Sequence, residues 1–194
     1  MEKKPTMAKL VPAVGLFDIE TNNLDANYGQ IMCAVVKEYG DNGEIYTYRC
    51  DEYKDYVKRP WDDRLICIDL RDKLEEFDEI SGYNSVFFDC SYLNTRLAFH
   101  GERPLRSPKH RDLFFIVKKN LRLNRNTLDV VQRLYGLETT KTAVASDMWT
   151  QASRAPHLPE GKAAMDYIVD HCVRDVVITE QIWSKLSPFV KKVW

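Results

Sequence analysis

Residues 9–21 read KLVPAVGLFDIET. The stretch is apolar almost without interruption up to Asp18, as expected of a central strand covered on both faces. It then carries two carboxylates, Asp18 and Glu20, spaced two apart. In a strand, residues i and i+2 share a face. The spacing therefore projects Asp18 and Glu20 together, while Phe17 and Ile19 turn to the opposite face, into core. Adjacent carboxylates repel, and burying them without a counter-charge is costly. A bound divalent cation removes both objections. The plainer alternative is that the strand stops at Asp18 and water takes both groups. An isolated D-x-E, being short and common, favours that alternative, so the rest of the chain must decide.

Working outward, QIMCAVVKEYG (30–40) reads as a second strand, DNG (41–43) as a hairpin turn and EIYTYRC (44–50) as a third strand. Leu65, Ile68, Leu70, Leu74 and Phe77 recur at helical spacing across 64–77. EISGYN (79–84) reads as a short strand ending in a loop, and SVFFDCSYLNTRLAFHG (85–101) as a helix stopped by Gly101. DLFFIVKK (112–119) fits strand or helix. TLDVVQRLYGL (127–137) is a short helix, and 146–161 reads as a loop with Arg154 and His157 as candidate contacts. The longest helix expected is 162–186, halted before Pro188. Strands lead and helices follow. The fold class is α/β, a mixed central sheet of about five strands, the first three antiparallel and the strand 11–19 central, flanked by helices. The expected organisation is a flexible N-terminus, 1–8, and a single domain, 9–194.

Composition narrows the function classes. At 194 residues and 44% hydrophobic, the chain has enough apolar mass for a core. The net charge of −1 gives no global attraction to nucleic acid, so any such argument is local. Five widely spaced cysteines with no C-x-x-C pair argue against a disulfide framework and for a reducing compartment. No apolar run approaches the ~20 residues of a membrane-spanning helix. His100, His110, His157 and His171 show no H-E-x-x-H spacing, which disfavours a zinc hydrolase.

Two further carboxylates change the odds for D-x-E. GYNSVFFDCSYL (82–93) places Asp89 at an early turn of an aromatic-rich helix. DYIVDHCVRDVVITEQIW (166–183) places His171 and Asp175 at i, i+4 on one helical face. In this order, with these neighbours, the chain resembles the DEDD superfamily, the ribonuclease-H-like 3′→5′ exonucleases that include polymerase proofreading domains. FDIET resembles the first motif, GYNSVFFD the second and HCVRDV the third. The intervening RDLFFIVKKNLRLNRNTLDVVQRLYGLETTK resembles the family segment between motifs two and three, with Asp112, Leu128 and Lys141 at matching places. The four-residue spacing from His171 to Asp175 is that of the tyrosine branch, as in family B DNA polymerases, with His in place of Tyr. Five residues before Asp175 stands Asp170, so the spacing of the histidine branch is not available.

The resemblance implies two Mg²⁺ or Mn²⁺ ions: Asp18 bridging both, Glu20 and Asp175 completing one, Asp89 supporting the other. It implies His171 as the group that takes a proton from the attacking water, and an unperturbed imidazole pKa of about 6.5 suits that role. Candidate substrate contacts are Thr21, Asn84, Phe88, Lys141, Arg122 and Arg125. Residues 103–125 hold eight Lys or Arg and one acidic residue, Asp112. Such a segment either tracks a phosphate backbone or balances the acidic stretch 51–80, and the sequence leaves both open. Phe87, Phe88 and Tyr92 are candidates for base stacking or for core. The expected partner is nucleic acid, at single-stranded 3′ DNA ends. An exoribonuclease with the same site and a binding module without turnover stand as alternatives. A separate replication protein is a further candidate partner, and the expected setting is the cytoplasm of a bacterial or phage-infected cell, with no membrane association.

Overall fold

The computed structural model describes residues 12–59, 61–106, 108–137, 144–154 and 156–190. The expected mobile segment 1–8 and the candidate Lys141 lie outside them. In chain order the elements are β1 (Val14–Thr21), β2 (Ile31–Glu38), β3 (Ile45–Arg49), α1 (Lys54–Lys58), α2 (Arg64–Leu74), β4 (Glu79–Gly82), α3 (Asp89–Phe99), β5 (Lys109–Asp112), α4 (Leu113–Asn120), α5 (Leu128–Leu134), α6 (Ser146–Arg154) and α7 (Pro159–Leu186). The strands form one sheet in the order β3-β2-β1-β4-β5. The first three are antiparallel and the last two run parallel to β1. β1 is central, as its apolar run predicts.

The period-2 reading of β1 holds. Phe17 and Ile19 are buried with Ala34, Val36 and Ile80 under α2 and α3, through Ile66, Leu70, Leu74, Leu93 and Leu97. The opposite face carries Leu16, Cys33 and Val35, covered by Ile168, Cys172 and Val176 of α7. Asp18 and Glu20 lie on this second face, opposite Val35 and Cys33 of β2. At ~1.5 Å per residue the 28-residue α7 runs about 42 Å. Its C-terminal half keeps contact with the sheet through the Lys37–Glu180 ion pair and also packs Ile178, Ile182 and Leu186 against α4 and α5.

Two expectations are corrected and one open reading is resolved. The segment 146–161 contains a helix, α6, because Met148, Trp149 and Ala152 recur on one face and pack against the core beneath α7. Arg154 and His157 are exposed. The segment 85–88 is a turn, and α3 begins at Asp89. DLFFIVKK resolves as helix α4, with a strand, β5, directly before it. The strand reads as charged surface in sequence because it is short and lies at the sheet's edge.

Asp112 joins these pieces. It caps α4 by accepting from the Phe114 N–H (2.9 Å), and it accepts from the Asn84 (2.8 Å) and Val86 (2.9 Å) N–H groups. Asn84 has φ +64°, a left-handed conformation that Asn tolerates better than most non-glycine residues and that the Asp112 bonds hold in place. The loop also needs Gly82: a Cβ there would lie 2.6 Å from Ser85 and 2.9 Å from the Phe17 carbonyl. One carboxylate therefore fixes the turn that delivers Asp89. Asp112→Ala should destabilise the protein by at least ~2 kcal/mol, from a lost N-cap of about 1 kcal/mol and lost bonds to a charged acceptor of ~1.5–3 kcal/mol. Urea unfolding measures this, and a change below ~0.5 kcal/mol would show that the loop holds without it.

Candidate active site

β4 pairs with β1 only through Leu16. Beyond that point this edge of β1, facing residues 83–88, has no strand partner among the described residues, and its donors need acceptors. Asp89, the first residue of α3, supplies one: its Oδ1 accepts from the Ile19 N–H at 3.0 Å. The bond ties the N-terminus of α3 to β1 between Asp18 and Glu20. From the other side, α7 brings Asp175 and His171, both buried, to the same face as Asp18. The His171 Nε2 lies 3.5 Å from Glu20 Oε1 and 4.0 Å from Asp175 Oδ2. Cys172, between them in sequence, turns its thiol inward to 3.4 Å from Asp18 Oδ2 and 3.5 Å from the Asp18 carbonyl.

The electrostatics are those of crowded like charges. Asp18 sits at the floor of a cleft, and its pKa is raised well above the ordinary carboxylate value. Burial is the largest cause, followed by repulsion from Asp89, Glu20 and Asp175; the Cys172 thiol opposes the shift. Asp89 is pushed up to about 7, chiefly by burial, with Asp112 adding repulsion and the Ile19 N–H pulling the other way. The cleft above Asp18 and Asp175 has a volume of about 440 Å³. Its remaining walls are Tyr83, Asn84, Phe114, Asn126, Thr127 and Leu128.

Among the described residues, no three His, Cys, Asp or Glu side chains close into a ready-made metal cage. The donor chemistry nonetheless suits a hard divalent cation. The convergent groups are carboxylate oxygens facing a solvent-filled cleft, and Mg²⁺ and Mn²⁺ take oxygen ligands while keeping several waters. A cation there would also offset the repulsion that raises the pKa of Asp18.

The candidate substrate contacts separate. Asn84 lines the cleft. Thr21 closes β1, with its hydroxyl donated to the Asn23 carbonyl at 3.0 Å. Phe88 packs half-buried against the core and lines a second cleft with Tyr92 and Leu24. Tyr92 is core, 3% exposed, whereas Phe87 is 66% exposed. The basic segment divides in two. Arg103 pairs with Asp72 and Glu75, and Lys109 and Arg111 pair with Glu79, so this half balances the acidic stretch. Arg122 and Arg125 are exposed, and among the described residues no carboxylate pairs with them. They directly precede Asn126, Thr127 and Leu128 of the cleft wall.

Of the cleft wall, sequence reasoning singled out Asn84 and Leu128 and missed Tyr83, Phe114, Asn126 and Thr127. The signal that could have found Thr127 is its place before an apolar period, an N-cap pattern: its hydroxyl accepts from the Val130 N–H. Tyr83 joins the wall by a tertiary bond, its hydroxyl donating to the Asn126 carbonyl at 2.7 Å.

The fold is similar to that of the family B DNA polymerase from the hyperthermophilic archaeon Pyrobaculum calidifontis, with a TM-score of 0.70 at 21% identity. The match covers 97% of this chain and 26% of the polymerase, so the chain spans about a quarter of that protein's length. No curated protein matches the sequence. The family RNase_H_2 matches residues 16–187, from the strand that carries Asp18 to the end of α7. The sheet order and the matched span agree with the resemblance read from the three motifs: the chain belongs to the RNase_H superfamily.

Proposed function

We propose that the chain is a metal-dependent 3′→5′ exonuclease that hydrolyses phosphodiester bonds at single-stranded DNA ends. The observation that carries the reading is the meeting of Asp18 and Asp175 across one open cleft, with Glu20 and His171 in contact beside them. In this reading Asp18, Glu20, Asp89 and Asp175 would hold two Mg²⁺ or Mn²⁺ ions, which when bound would supply neutralisation of phosphoryl charge and a more acidic attacking water. His171 takes the proton from that water. Glu20, 3.5 Å from its Nε2, orients the ring. Asn84 and Thr127 are walls against which the terminal nucleotide rests, and Arg122 and Arg125 meet its backbone. The leaving 3′ oxygen is protonated from solvent at the open side of the cleft.

The direct test is digestion of 5′-labelled single-stranded DNA and RNA in Mg²⁺, Mn²⁺ or EDTA. A ladder shortening from the 3′ end, absent in EDTA and in Asp18→Ala, is expected. Full activity in purified Asp18→Ala would sink the two-metal reading, and a ladder on RNA alone would reassign the substrate.

The histidine makes a sharper prediction. His171→Ala should lower kcat by roughly 10²–10⁴-fold, the usual worth of a positioned acid–base group. Metal affinity should change much less. His171→Tyr should retain part of the activity, because a phenol at tyrosine-branch spacing still hydrogen-bonds the water. Wild-type kcat in His171→Ala would make this histidine a bystander.

The raised pKa values predict how metal and pH interact. A carboxyl whose pKa is higher folded than unfolded holds more protons in the folded state, so its contribution to stability falls as pH rises. For Asp89 that window runs from about 4, the unfolded value, to about 7. Metal-free protein should therefore lose stability across it, and the metal should gain access as the proton leaves. The rise in Tm on adding Mn²⁺ should be larger at pH 8 than at pH 6. An equal or smaller rise at pH 8 would contradict the shifts assigned to these carboxyls.

A further inference from the structure

The second cleft, about 220 Å³, is lined by Leu24, Asn27, Phe87, Phe88, Ser91 and Thr95, among others. Four aromatic rings join it to the carboxylate cleft. Tyr83 and Phe114 line the carboxylate cleft and meet edge-to-face, with centroids 6.2 Å apart. Phe114 meets Phe115 at 5.5 Å, and Phe115 meets Phe87 at 5.3 Å. Phe87 lines the second cleft.

The outer end of this ridge faces water: Phe87 is 66% exposed and Phe115 is 38% exposed. Leaving large apolar rings in solvent forgoes the gain of burying them. The rings have cations for neighbours. On α4, Lys118 and Lys119 lie one turn beyond Phe114 and Phe115, at i+4 on the same faces. The Lys118 Nζ stands 5.8 Å from the Phe114 ring centroid. Both lysines, like Arg122 and Arg125 just downstream, are exposed, and none of the four has an ion pair among the described residues. The second cleft contains a single carboxylate, Asp25. Exposed rings beside unneutralised cations form the surface that unpaired nucleic acid fits, bases on ring faces and phosphates on cations.

We propose that the ridge Tyr83–Phe114–Phe115–Phe87 is a stacking platform that carries unpaired bases from the carboxylate cleft to the second cleft, with Lys118, Lys119, Arg122 and Arg125 along the phosphates. The proposal rests on the nuclease reading for which end of the strand enters the carboxylate cleft, and not for the binding itself. It makes Phe87 and Phe115 specificity-determining residues: they distinguish a strand several nucleotides long from a dinucleotide.

The test has two arms. In the first, fluorescein-labelled (dT)12 with hydrolysis-resistant phosphorothioate linkages is titrated with protein in Mg²⁺ and followed by anisotropy. The double variant Phe87→Ala/Phe115→Ala should bind at least ~10-fold more weakly, since stacking on aromatic rings carries that order of affinity per base. Its thermal midpoint should match the wild type, both rings being partly exposed. Phe115→Trp should bind as well as the wild type or better. Salt dependence should be unchanged in the aromatic variants and flattened in Lys118→Glu/Lys119→Glu, because only the cations release counterions. Undiminished (dT)12 binding by the double alanine variant would overturn the proposal and free the ridge for a protein partner. In the second arm, hydrolysis of dT dinucleotide and unmodified (dT)12 is compared in Mn²⁺. The double variant should lose the advantage of length in KM while keeping kcat on the dinucleotide. Ridge-dependent binding with no hydrolysis of either substrate would sustain the platform and remove the nuclease reading. Hydrolysis with an intact length preference in the variant would do the reverse.

Discussion

The structure is organised around a repulsion. Asp18, Glu20, Asp89 and Asp175 come from three elements to one place, and their mutual repulsion and burial drive the pKa of Asp18 upward. Two unit charges about 4 Å apart repel by roughly 4 kcal/mol at an effective dielectric of about 20. A domain is stable by only about 5–15 kcal/mol in total. A scaffold that keeps such a group together must therefore fix each carboxylate through packing and hydrogen bonds that do not depend on the charges themselves.

Each carboxylate has such an anchor. Asp18 and Glu20 are held because the same strand buries Leu16, Phe17 and Ile19 on its two faces, so the backbone cannot slip. Asp89 is held from both ends: its own carboxylate binds the Ile19 N–H, and the loop before it hangs on Asp112. Asp175 is held by α7, whose apolar side enters two core clusters. Next to it the buried His171 lies 3.5 Å from Glu20, beside Asp18 and Asp175, the two carboxylates that line the cleft. The proton chemistry proposed for His171 follows from this arrangement.

Much of this was legible in the chain. The D-x-E of β1, the late position of Asp89 after a loop, and the i, i+4 pair on a long helix all depend on local periodicity, which sequence displays directly. The α/β class, the antiparallel start and the central place of β1 followed from the strands leading and the helices following. What escaped was set by tertiary contact. The edge strand Lys109–Asp112 carries no apolar pattern, because only its parallel partner β4 makes it a strand. α6 reads as a loop because it is rich in polar residues and offers few apolar anchors. The cleft wall of Tyr83, Phe114 and Asn126 is assembled by a hydroxyl–carbonyl bond and a ring contact between segments distant in the chain. The basic segment 103–125 looks uniform in sequence, yet the fold neutralises its first half with Asp72, Glu75 and Glu79 and leaves Arg122 and Arg125 free of carboxylates among the described residues.

The central claim is that these carboxylates exist to hold a pair of divalent ions. Electron paramagnetic resonance of the protein titrated with Mn²⁺ reads that directly. The account predicts two ions bound per chain and a spin-coupled spectrum, the signature of ions roughly 3.5–4 Å apart that share a ligand, and it predicts loss of the coupling in Asp18→Ala. A single uncoupled ion, or coupling that survives removal of Asp18, would contradict it.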